Sequence, residues 1–216
     1  MNLKLLRQVR DVGVLGGLKS LYHSTRHTGR PSALVVTSGV ITEIHGDTQF
    51  DINGRFTLGT GRRGASHPRL CHSKFSTTAD SRIHHTGDEL AIVGPGSVLH
   101  IEGEFSIGDS YVNSHARILC AEKIQIGDNV AIAWNVQLLD DDRHTLVVDG
   151  EESERCAPIH IKDNVWVGHD TTVHKGVTIS EGSVVASNSV VTDDVPPNTL
   201  VAGSPAEVVR ENVNWR

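Results

Sequence analysis

Apolar residues at the start of the chain recur at helical spacing. Leu3, Leu5, Leu6, Val9, Val12, Leu15, Leu18 and Leu21 alternate with Lys4, Arg7, Arg10 and Lys19, a pattern that predicts one amphipathic helix over residues 1–28. Two roles fit such a helix: an anchor at a membrane surface, or a cover packed on the end of the main domain or on a neighbouring subunit. Gly13, Gly16 and Gly17 weaken a free-standing helix and favour the cover.

Beyond it the period changes. Ile161, Val167, Val173, Ile179, Val185 and Val191 fall at every sixth position without a break. The same step links Ile126, Ile132 and Leu138, and an offset series holds Ile101 and Ile107, with a slip of register near residues 119–126. An aliphatic residue every sixth position, with a small residue four places on, makes each six-residue unit one flat side of a triangular coil. One coil cannot bury its own apolar face, so several must stack into a solenoid. Residues 30–100 carry little of this order, and the stretch from Gly61 to Gly87 reads as irregular coil or an inserted loop.

Two regular blocks are separated by DDDRHTLVVDGEESERCAP, a loop over residues 139–159. A long loop on a rigid scaffold is where binding and chemistry concentrate. It holds Asp140, Asp142 and His144 as D-x-D-x-H.

Composition narrows the partners. A net charge of −6 over 216 residues, with no run of Lys or Arg, argues against nucleic acid and towards a small molecule or a protein. No apolar stretch reaches the roughly 20 residues of a membrane span, and no signal peptide is visible. Cys71, Cys120 and Cys156 are odd in number and lack CxxC spacing, which suits reduced thiols in cytoplasm. Aromatic residues at 4% and abundant Gly, Val, Ile, Thr and Ser suit short strands and many turns.

The segments IGDNVAIAWNV, IKDNVWVG and HKGVTISEGSVVASNSVVTDDVPPNTLVAGSPAEVVRENV resemble the hexapeptide-repeat acyltransferases, in particular the galactoside and maltose acetyltransferase branch and its polysaccharide O-acetyltransferase relatives. The resemblance is strongest over residues 126–210, and the ending VAGSPAEVVREN is its most specific part. It implies an all-β fold, a left-handed parallel β-helix over residues 29–210 with a short N-terminal helix and a tail at 211–216. It also implies a homotrimer with sites between neighbours. The implied activity is acetyl-CoA-dependent O-acetylation of a hydroxyl on a sugar or polysaccharide precursor, in a ternary complex and without a metal.

The resemblance carries roles onto particular residues. His144 would be the general base, since a neutral imidazole titrates near the pH at which a weakly nucleophilic hydroxyl needs its proton removed. Asp142 would orient that imidazole, or be a solvated loop acid. Asn113 would position the acetyl or acceptor oxygen, or be a corner asparagine. Acetyl-CoA contacts would fall on His169, Ser187, Thr192 and Arg210, with backbone around Gly168, Ala186 and Ala202, each of which could equally be coil structure. Asp193 and Glu207 depart from the family, which often places basic residues there for the nucleotide phosphates.

Two other readings stay open. His144, His169 and His174 also resemble the histidine set of the γ-class carbonic anhydrases, zinc enzymes of the same fold, although the Arg-Gly-Asp segment of that family is missing ahead of the loop. A catalytically silent β-helix scaffold is the third, against which the ordered D-x-D-x-H argues. The long helical domain of serine O-acetyltransferases and the N-terminal α/β unit of nucleotide-sugar N-acetyltransferases are not visible in residues 1–100.

Overall fold

The computed structural model describes residues 3–60 and 72–216, with side chains in the helix from residue 13 onward. Cys71 and the segment 61–71 lie outside the described residues. Three sheets of parallel strands are visited in rotation up to Val190–Val191, interrupted by the small ribbon of the 139–159 loop. The first face begins with Leu34–Val36, the second with Val40–Glu43 and the third with Gln49–Ile52; Arg55–Leu58 then returns to the first. This rotation is a three-sided coil of stacked turns.

The interior is built from columns of residues in register. On the first face Val36, Leu58, Val93, Val112, Ile132, Val167, Val185 and Val201 follow one another. Phe75, Leu99, Ile118, Leu138, Val173 and Val191 line the second, and Ile107, Ile126, Ile161 and Ile179 the third. The six residues of the unbroken sixfold series are all at most 1% exposed. β-branched side chains dominate because they fit a pleated, half-buried surface whose inner side is packed.

Order extends further towards the N-terminus than the period suggests. Ser73–Thr77 and Arg82–His85 are regular strands of the second and third faces, where the sequence reads as irregular. The reason is coil length: the turns here are lengthened at their corners, so core residues such as Phe75 and Ile83 keep their faces while losing the sixfold step. The slip near residues 119–126 is also a widened corner. There the buried Asp140 carboxylate accepts the backbone N–H groups of Ala121, Glu122 and Lys123 at 2.7–2.9 Å.

The helix α1 (Leu3–Thr28) breaks at Gly13, whose φ of 75° leaves the helical region, and its second part lies across the first turn of the coil. Ser20 Oγ accepts the N–H of Val36 at 2.9 Å, and Ser24 Oγ accepts that of Leu34 at 3.0 Å. Two serines thus satisfy the open edge of the first strand, which would otherwise present unpaired donors. At the other end, Thr199–Gly203 continues the first face, but Ala206–Glu211 reverses and pairs with it antiparallel. The expected prism through residue 210 therefore ends in a hairpin. Among the described residues no helix is long and apolar enough to cross a membrane.

Candidate functional site

The rotation of faces decides where the candidate residues stand. Asn113 follows the strand Tyr111–Val112, Gly168 and His169 follow Trp166–Val167, and Ala186 and Ser187 follow Val184–Val185. All five lie where the first face turns into the second, stacked in one column of corners. Ala202 belongs to the last first-face strand, close to the same column, and Arg210 pairs in register with Leu200. His144, Asp142 and Thr192 stand at the opposite edge of the second face, where it turns into the third. Within one chain the second face separates these two groups.

The corner column is rigid. Its turns use left-handed residues, His115, Asn135, Asp170 and Asn188, with φ of 59–63°, and Asn and Asp adopt this region at low cost. Asn113 is buried, and its Oδ1 accepts the Ser114 N–H at 2.8 Å. Gly168 is demanded by stacking: a Cβ there would stand 2.5 Å from the Ser187 nitrogen. His169 Nδ1 pairs with Asp170 Oδ2 at 2.7 Å, and its ring stacks on Trp134 with centroids 5.1 Å apart and planes 7° apart. Thr192 Oγ1 donates to Asp193 Oδ2 at 2.8 Å.

The loop over residues 139–159 is an ordered arm. Its base pairs antiparallel at Asp141 and Cys156, and its tip is a two-stranded ribbon of Val147–Val148 and Glu151–Glu152. Asp140 anchors it from below, and burial raises the pKa of that carboxyl despite its three N–H donors. Asp141, also buried, accepts the Arg143 N–H at 2.7 Å and lies 3.1 Å from Arg155 Nε. Arg143 reaches Glu102 at 2.8 Å, a hydrogen bond that holds the Glu102 carboxyl below its usual range.

His144 is exposed on this arm, and among the described residues its ring has no hydrogen-bond partner. Asp142 is engaged by Lys175, whose ammonium donates to Asp142 Oδ2 and to the Glu154 carbonyl. Within one chain the orienting contact expected from Asp142 to His144 is replaced by this pairing. His174 lies in register with Leu139 at the base of the arm, whereas His169 is at the far corner. Among the described residues no three His, Cys, Asp or Glu side chains of one chain converge as a metal site. Cys120 is buried and Cys156 half-buried, both free thiols, and burial raises the pKa of Cys120 well above the usual thiol range.

Two residues enter the site from the structure alone. Trp134 is brought to His169 by a full turn of coil plus the arm, and Lys175 reaches Asp142 across 33 residues. Both lie within the segments that carry the resemblance, IGDNVAIAWNV and HKGVTISEG, but their contacts across the coil are set by the stacking of corners and not by local spacing. A cavity of about 440 Å³ lies elsewhere, lined by Leu90, Asp109, Tyr111, Asn129 and Trp215, and contains none of the candidates.

Residues 158–193 match the family described as bacterial transferase hexapeptide (six repeats). The galactoside O-acetyltransferase of Escherichia coli (strain K12) is 40% identical over 119 residues, 54% of this chain and 55% of the relative. The chain thus spans about half the length of the curated relatives it matches. Two solved structures share the fold: the polySia-specific acetyltransferase NeuO, with TM-score 0.54 and 20% identity over 85% of this chain and 89% of that one, and the polysialic acid O-acetyltransferase OatWY, with TM-score 0.52 and 24% identity over 85% and 86%. Residues 158–193 thus carry bacterial transferase hexapeptide repeats, and the three-faced coil around them has the fold of these acetyltransferases.

Proposed function

We propose that the protein is an acetyl-CoA-dependent O-acetyltransferase acting on a hydroxyl of a sugar or polysaccharide precursor, and that its coil is left-handed and assembles as a homotrimer. The observation that carries this reading is the division of the candidate residues between two corners of one chain. His144 stands on an arm whose tip exposes Leu146, Val147 and Val148, an apolar end that a neighbouring subunit would cover. Packing of copies side by side lays this arm along the Asn113–His169–Ser187 column of the neighbour. The galactoside O-acetyltransferase relative supports the class of acceptor.

In that cleft the acceptor hydroxyl oxygen attacks the thioester carbonyl carbon while the His144 imidazole takes its proton. The carbon–sulfur bond then breaks, and the imidazolium returns the proton to the leaving thiolate. The Asn113 amide donates to the oxyanion in this reading, a contact stronger in the transition state than before it. His169, held flat by Trp134, and the backbone at Gly168 and Ala186 line the thioester arm. Ser187, Ala202 and Arg210 lie further along the same column, Thr192 faces them from the His144 corner of the adjoining subunit, and Arg210 is the candidate cation for a phosphate that Asp193 and Glu207 would otherwise repel.

His144→Ala is expected to lower turnover by roughly 10²- to 10⁴-fold while acetyl-CoA binding, followed by titration calorimetry, stays within about twofold of the unaltered protein. Full activity of the variant with a screened sugar acceptor would remove His144 from the mechanism. Elemental analysis of the purified protein separates this reading from a zinc hydratase: about one zinc per subunit together with no acetyl-CoA binding favours the latter.

A further inference from the structure

The helix α1 packs inside out. Its buried positions after the kink are Gly16, Gly17, Ser20 and Ser24, while Val14, Leu15, Leu18 and Tyr22 are 67%, 74%, 61% and 59% exposed. At about 100° per residue the four exposed side chains fall within one arc of roughly 100°, opposite the arc that touches the coil. Small residues face the prism because the serine hydroxyls must reach the backbone of Leu34 and Val36. Nothing in that contact requires leucines on the other side. A helix whose outer face met only water would carry polar residues there, and a contiguous exposed apolar stripe marks an interaction surface.

We infer that this stripe docks the protein on an anionic lipid bilayer. Charge selects the occupant. Residues 1–28 hold Lys4, Arg7, Arg10, Lys19 and Arg26 against the single acid Asp11, in a chain whose net charge is −6. From Gly13 to Arg30 there is no carboxylate at all. The body of the protein is therefore repelled by anionic headgroups and the helix is drawn to them, the combination that holds amphipathic helices in a membrane interface. A second copy is the poorer occupant, because pairing two such helices along their leucines would bring like charges together. The break at Gly13 also frees the direction of the helix start from that of the part bound to the coil. Because α1 covers the first turn, docking would use that end of the prism and leave the corner column open along the side. The inference is independent of the acetyl-transfer reading.

The test is flotation of the purified full chain with vesicles of phosphatidylglycerol and phosphatidylcholine, or phosphatidylcholine alone, in low and high salt. Binding is expected to the anionic vesicles, at least tenfold above the neutral ones, and to weaken in 0.5 M salt on the order expected for screened charges. The Leu15→Glu/Leu18→Glu variant alters only solvent-facing positions and is expected to lose flotation with an unchanged circular dichroism spectrum. Flotation of that variant equal to the unaltered protein, equal binding to neutral vesicles, or no binding at all would each overturn the inference. Light scattering on the same samples covers the competing occupant: a mass that falls in the variant, without vesicle binding by the unaltered protein, assigns the stripe to a second copy instead.

Discussion

His169 illustrates what a single residue owes to its neighbours in the coil. Its imidazole lies flat on Trp134 and is tied at Nδ1 to Asp170, and Asp170 in turn takes a hydrogen bond from Asn135 one turn away. An aromatic pair of this kind contributes about 0.5–1.5 kcal/mol beyond buried area. If His169 lines the thioester arm, Trp134→Ala should weaken acetyl-CoA binding by roughly 2- to 12-fold, the same energy range expressed as a ratio, with kcat nearly unchanged. Trp134→Phe should recover most of the loss. A titration of both variants checks this, and an unchanged affinity in Trp134→Ala would detach the ring from the site. Sequence reasoning finds His169 through the WVG motif but misses Trp134, because 35 residues separate Asn135 from Asp170 and only the register of stacked corners reveals that they adjoin. For Asp142 the motif D-x-D-x-H suggests a partner two residues away, yet Lys175 takes the carboxylate. Local spacing cannot anticipate a cation from the next turn.

The docking of α1 on the first turn adds a pH dependence at the scale of an element. His23 lies against Thr42 with Nε2 3.1 Å from the hydroxyl, and among the described residues its buried Nδ1 has no hydrogen-bond partner. Burial foremost, then the charges of His27, Lys19 and Arg26, lowers its pKa from 6.5 to about 4. Burial also lowers that of His27, stacked on it with centroids 5.9 Å apart. The folded state here binds fewer protons than the unfolded state between these values, so the contribution to stability is present above about pH 6.5 and is lost as pH falls towards 4. Thermal unfolding between pH 7.5 and 4.5 should show a fall in midpoint that is shallower in His23→Gln; parallel curves would contradict this. The helix itself is legible from its leucines, and so is its role as a cover. Which face it buries is not, since the spacing of Leu15 and Leu18 suggests an inward stripe, while the unsatisfied strand edge selects Ser20 and Ser24 instead.

Across the whole molecule, the second half of the coil is readable because Ile161 to Val191 advance in even sixes, each turn being closed by short corners of the same length. The first half hides the same architecture behind lengthened corners: Ile52 and His85 are register partners although 33 positions apart, and Phe75 and Phe105 fill the interior where aliphatics would announce the repeat. Both ends, by contrast, are closed by elements that do not repeat, α1 at the start and the antiparallel strand Ala206–Glu211 at the finish. A stack of parallel strands has no intrinsic stopping point, because each terminal rung offers the next chain the same row of donors and acceptors that joins its own rungs. Removing residues 205–216 should turn Thr199–Gly203 into such a template, and concentration-dependent assembly with increased thioflavin T fluorescence would report it; a truncated protein that keeps the hydrodynamic size of the parent would refute the idea. On this prediction the closing hairpin is a terminator of polymerisation on the first face, the feature that would separate a discrete particle from a fibre built on the same rungs.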